Sequence, residues 1–206
     1  MKGIFKNLTI LLFVLIAMQS KAQEKFSSYD NTYLGKTFEI QIAAKDITDY
    51  SLYIDAMSLD DLISTAGITI KQNQQQEFTV ALSDAKVKYE EWVKTAKENN
   101  VKALDKSMSI TSKAGGYFLF GGEWEFQFLA NLKFDFKILE SKGETKYLLL
   151  VKTGELQSSS NEFIKVDGCV LVFSSSKEID DFKAAISSEK IEEFLKKPKK
   201  EDLFKD

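Results

Sequence analysis

The sequence predicts an α+β domain: an antiparallel sheet, formed by a meander of about six strands plus N-terminal strands, packed against one long helix and a C-terminal helix. Three observations carry this. Apolar residues alternate with polar ones on both sides of a long central segment. Within that segment Phe78, Leu82, Ala85, Tyr89, Trp92, Val93 and Ala96 recur at helical steps for about five turns. Near the C-terminus Ile179, Phe182, Ala185 and Ile186 return to helical spacing behind a run of serines at 174–176.

The chain begins with Lys2 and Lys6 ahead of an apolar run from Leu8 to Ala17, and Ser20-Lys21-Ala22 ends it with small residues flanking a lysine. This is the pattern of a secretory signal peptide, so residues 1–22 are expected to be removed by cleavage after Ala22 and the protein exported to the periplasm or beyond. The apolar run is about ten residues, against the roughly twenty a spanning helix needs. Gln23 stands where a lipoprotein carries its cysteine, so no stable membrane anchor is expected. Residues 23–35 read as a flexible mature N-terminus, 36–198 as a single domain, and 199–206 as a polar tail of both charges.

Phe38, Ile40 and Ile42 alternate with Thr37, Glu39 and Gln41, predicting a half-buried strand; Leu52, Ile54 and Ala56 against Tyr53 and Asp55 predict a second. Residues 58–65 suggest a short helical turn ended by Gly67, before a short strand at Ile68 and Ile70. The long helix is expected over 74–99, a length of roughly 39 Å at the α-helical rise. Beyond it, strands at 106–112 and 116–120 would flank a turn at Lys113-Ala114-Gly115, and Gly121-Gly122 would form a hairpin turn. Further strands are expected at 123–129, 132–139, 146–156 and 163–173, then a helix stopped by Pro198.

Composition excludes more than it assigns. The chain has no histidine, and all 28 basic residues are lysine. That removes Ser-His-Asp and Cys-His catalysis, HExxH helices, ordinary zinc sites and bidentate guanidinium recognition. Lys2, Lys6 and Lys21 leave with the signal peptide and none of the 31 acids does, so the mature domain is more acidic than the full chain's formal −3. Nucleic acid is therefore not an expected partner. The one cysteine, Cys169, lies in an apolar run and reads as a buried small hydrophobe. No phosphate-cradling or nucleophile-elbow motif is present, and no cofactor or metal is expected.

Two groups of residues are candidates for function. Trp124, Phe126, Phe128, Phe134 and Phe136 share one parity, with Glu123, Glu125, Gln127, Lys133, Asp135 and Lys137 on the other. The first reading is a greasy sheet face packed beneath the helical stripe; the alternative is that Trp124, Phe126, Phe128, Tyr89 and Trp92 line a cavity for an apolar ligand. Glu123 and Glu125, two apart on a strand, are the only candidates for a carboxylate-only hydrolase, although a solvated sheet face is the simpler reading. The expected role is a non-catalytic binding module whose partner is a protein, a surface glycan or an apolar small molecule.

Overall fold

The computed structural model describes residues 23–141 and 143–197. The expected signal peptide, the stop at Pro198 and the polar tail lie outside these residues. Helix α1 (Gln72–Glu98) follows strand β4 directly and buries Phe78, Ala81, Leu82, Ala85, Tyr89 and Ala96, the face its spacing predicts. One polar residue joins that face. Gln75 is buried because it accepts from the Tyr50 hydroxyl and donates to the Ile186 carbonyl at 2.6 Å, so both ends of its amide are paired.

Among the described residues ten strands precede and follow α1: β1 (Glu24–Asn31), β2 (Lys36–Asp46), β3 (Asp49–Ser58), β4 (Ala66–Lys71), β5 (Leu104–Phe120), β6 (Glu123–Ser141), β7 (Glu144–Lys152), β8 (Leu156–Gln157), β9 (Lys165–Val166) and β10 (Cys169–Phe173). Eight form one antiparallel sheet; β8 and β9 pair separately. Strand β3 holds three neighbours: β2 through Asp49–Ile54, β4 through Ser51–Ala56, and β10 at Met57 and Ser58. The pairing path β3–β4–β5–β6–β7–β10 therefore returns to β3, and β1–β2 extends from it as an appended hairpin. Helices α2 (Ser176–Ala185) and α3 (Ser188–Lys196) start on serine caps, Ser175 and Ser187. Phe182 of α2 packs against Tyr29, Phe78 and Phe173, tying the first strand, the long helix and the last strand together.

Order begins earlier than Lys36. Residues 24–31 pair with β2 across seven residue pairs, and Tyr29 buries its ring because Phe38 stacks on it at 5.3 Å. The alternation there is too polar to announce a strand; the partner strand supplies the order. Of the residues at 58–65, Ser58 ends β3 and 59–65 are bends and turns with no helix. The expected turn at Lys113-Ala114-Gly115 is absent: β5 runs through it as one long strand, as β6 runs through Ala130. Only Gly121-Gly122 breaks the pair, with φ of 59° and 88°, the positive values that suit a tight hairpin turn.

The unbroken strands carry a bulge that changes which side chains are inside. Ala114 faces Ala130, but Gly116 faces Gln127, so β6 has one extra residue at this point. A one-residue slip exchanges the two faces of a strand. Leu132, Phe134, Phe136 and Ile138 accordingly point into the core beneath α1, whereas Trp124, Phe126 and Phe128 point to the opposite face. The single greasy face expected from parity is thus divided between the two sides of the sheet. Phe78, Phe118, Phe134 and Phe136 are completely buried and fill the space between sheet and helix.

Candidate functional site

The bulge separates the five aromatic candidates. Tyr89 and Trp92 sit on α1 and meet Phe136 edge-on, with ring centroids 5.9 and 5.6 Å away. The Tyr89 hydroxyl donates to the carbonyls of Tyr147 and Ser174, and Trp92 is flanked by the ammonium groups of Lys88 and Lys106. These are anchoring contacts of the core and its rim. Trp124 and Phe126 instead join Tyr53 and Tyr117 on the opposite face, while Phe128 projects into solvent, 64% exposed.

Those four rings, with Gln23, Gln41 and Asp55, surround a depression of about 70 Å³. All but Gln23, which precedes β1, come from the outward parity of four strands: Gln41 from β2, Tyr53 and Asp55 from β3, Tyr117 from β5, Trp124 and Phe126 from β6. Gly67 of β4 makes the arrangement possible. A Cβ there would stand 2.4 Å from the tip of the Tyr117 ring and from the Ile54 carbonyl, so the bare glycine lets Tyr117 lie across β4. Its hydroxyl donates to Asp55 Oδ1 at 2.5 Å. The rings meet at steep angles, 62° for Tyr53 and Tyr117, 83° for Tyr53 and Phe126, and 59° for Tyr117 and Trp124, so they form walls around the carboxylate.

The electrostatics of this depression are unbalanced. Burial pushes the Asp55 carboxyl above the ordinary aspartate value, the nearby Glu39 carboxylate adds to the effect, and hydrogen bonds from Tyr117 and the Glu39 backbone oppose it. No lysine pairs with Asp55 among the described residues; Lys25, the cation nearest in the strand pairing, is bound to Glu39. Burial and the Asp55 charge also push the Tyr117 phenol far up, so it stays a proton donor.

The two glutamates part company. Glu123 is exposed beside the hairpin turn, while Glu125 is buried on the core-side parity and accepts from the hydroxyls of Ser158 at 2.5 Å and Ser160 at 3.0 Å. Ser158 also accepts the backbone N–H groups of Ser160 and Asn161, so Glu125 anchors the loop between β8 and β9. Its carboxylate is engaged in holding that loop and does not converge with Glu123 on a cleft. Among the described residues, no group of three or more Cys, Asp or Glu side chains is placed to hold a metal ion.

One end of the sheet carries a second feature. Residues 59–65 bond to the start of β10 through Leu59 and Gly168 and to β5 through Leu119 and Thr65, so this loop, the 121–122 turn and the loop from 154 to 168 lie together. The two loops expose Leu62 (93%) and Phe163 (89%), and the strand ends beside the turn expose Trp124 (52%) and Phe120 (43%). The two loops hold Asp60, Asp61, Glu155, Glu162 and Asp167, and Glu123 opens β6 beside the turn, against one lysine, Lys165, which is paired to Glu155 at 3.3 Å.

No protein-family model, curated protein or solved structure matches this chain. The site is therefore read from its own chemistry. Sequence reasoning missed Tyr53, Asp55 and Tyr117. Tyr53 and Asp55 were legible as the outward parity of a strand, but only the pairing β3–β4–β5 brings Tyr117 to them. Among the described residues, no helix is long and apolar enough to cross a membrane.

Proposed function

We propose that the protein is a non-catalytic binding module, exported by its N-terminal segment, that docks a cationic partner protein through the loop end of its sheet. The observation that carries this is the coincidence of Leu62, Phe120, Trp124 and Phe163, all solvent-exposed, with six acids and one paired lysine on the two loops and the strand ends beside the 121–122 turn. Exposed apolar side chains of this size, set on segments joined by hydrogen bonds, favour contact with another surface. The surrounding acids select a partner of opposite charge and disfavour nucleic acid or an anionic lipid surface. Enzymatic chemistry has no comparable support, since Glu125 is occupied by Ser158 and Ser160. An apolar-ligand carrier is not favoured either, because the rings of Phe78, Phe118, Phe134 and Phe136 occupy the space it would need.

The test compares two synthetic amphipathic peptides of equal length, one of leucine and lysine, the other of leucine and glutamate. The basic peptide is expected to bind with an affinity that falls as salt is raised, and the Leu62→Ser/Phe163→Ser variant to lose about tenfold or more. Equal binding of the acidic peptide, or unchanged affinity in the variant, would sink the proposal.

A further inference from the structure

We propose that the depression walled by Tyr53, Tyr117, Trp124 and Phe126 is an ammonium pocket, with Asp55 as its counter-charge, and that its occupant is a lysine side chain. In naming the group that the docked protein presents, this inference rests on the docking reading above; the pocket chemistry itself is independent of it. Trp124 belongs to both the pocket and the loop end, so a partner seated on the loops lies beside the depression.

The fit is one of size, charge and ring geometry. A space of about 70 Å³ is far below the roughly 300 Å³ at which pockets begin to enclose a whole small molecule. It admits the end of a side chain. The rings stand as inclined walls, and aromatic faces attract cations through their quadrupole, most strongly where water is displaced. Asp55 is drawn partly out of water, held by Tyr117 and the Glu39 backbone, and no lysine pairs with it among the described residues. A buried carboxylate without a counter-ion is costly, and an entering ammonium relieves that cost. A neutral apolar group would leave it uncompensated, and an anion would worsen it. A primary ammonium is favoured over a quaternary one because Asp55 and the Gln41 amide offer acceptors that only N–H groups use.

The experiment uses n-butylammonium, which reproduces the lysine side chain beyond its Cα, with n-pentanol as the neutral control and choline as the quaternary one. Binding is read by NMR from the two indole N–H resonances of wild-type protein, assigned with Trp92→Phe. The two tryptophans lie on opposite faces, so Trp92 is an internal reference. Saturable movement of the Trp124 signal alone is expected with n-butylammonium, weakened at least tenfold in Asp55→Asn, and absent with n-pentanol. An equal response to n-pentanol, an unchanged response in Asp55→Asn, or tighter binding of choline overturns the assignment. The Leu62→Ser/Phe163→Ser variant is expected to bind n-butylammonium as wild type does. A failed pocket with intact peptide docking rejects this inference alone, and an intact pocket with failed peptide docking rejects the docking reading alone.

Discussion

Tyr117 donates its hydroxyl to Asp55 at 2.5 Å over the backbone of Gly67, so that β5 and β3 are joined across the strand that lies between them. The contact places a phenol and a carboxylate at the floor of an aromatic depression. It also depends on a residue with no side chain, which makes it sensitive to small changes.

Gly67→Ala is expected to destabilise the fold by about 2 kcal/mol or more, since the added methyl meets both a ring and a backbone carbonyl at 2.4 Å and only the ring can move. Urea unfolding measures the loss. The Trp124 indole resonance should shift in the same variant, because the Tyr117 ring that packs 5.8 Å from it must move.

Asp55 sets a pH dependence of opposite sign to that of most carboxylates. Its folded value lies above the unfolded value of about 3.9, so the folded protein holds the proton more tightly. The group then opposes folding above its folded value, and that penalty is relieved as the pH falls through the folded value toward the unfolded one. Glu39, with its partner Lys25, and the phenols of Tyr117 and Tyr29 are the titratable groups beside it. Comparing wild type with Asp55→Asn, the wild type should gain stability relative to the variant as the pH falls from about 7 to about 4. Tyr117→Phe removes a donor to the carboxylate and should raise the Asp55 value further, at a stability cost of about 1 kcal/mol. Carboxyl NMR titration would decide both.

The bulge makes two phenylalanines on one strand unequal. Phe136→Ala should cost about 3–5 kcal/mol, as expected for a completely buried ring, while Phe128→Ser should change stability by about 0.5 kcal/mol or less. Equal effects in denaturant melts would mean that the two rings share a face.

Glu125→Ala leaves the buried Ser158 hydroxyl without its carboxylate acceptor, and releases the exposed Ser160 hydroxyl beside it, which should cost about 1–3 kcal/mol. Amide exchange ought to quicken in the loop from 154 to 168 before it does so in β10.

Cys169 is fully enclosed, burial pushing its thiol up to about 12 against the Thr153 hydrogen bond that opposes the shift. Native protein should therefore resist thiol reagents at neutral pH, with labelling only at the rate of unfolding. Rapid native labelling would contradict this enclosure.

Periodicity alone was enough for the long helix, because one face of α1 meets the core for most of its length and the spacing of Phe78, Leu82, Ala85 and Tyr89 repeats that geometry. It was also enough for the hairpin at Gly121-Gly122, where the backbone angles demand glycine. β1 escaped it, since its polar alternation becomes ordered only by pairing with β2. So did the long run of β6, because Phe128 and Leu129, the two residues opposite Gly115, are both apolar, and neither supplies a turn signal or says which of them is the extra one.

The amino-acid sequence by itself determined the class of fold and the chemistry this protein lacks: with lysine as its sole base type and no histidine, whole mechanisms are closed whatever the chain's shape. Tertiary structure decided which side of the sheet each aromatic faces and which residues meet Asp55. The reason is physical: a strand's faces alternate with every residue, so one bulge inverts all side chains beyond it, and neighbours across strands are set by pairing register rather than by distance along the chain.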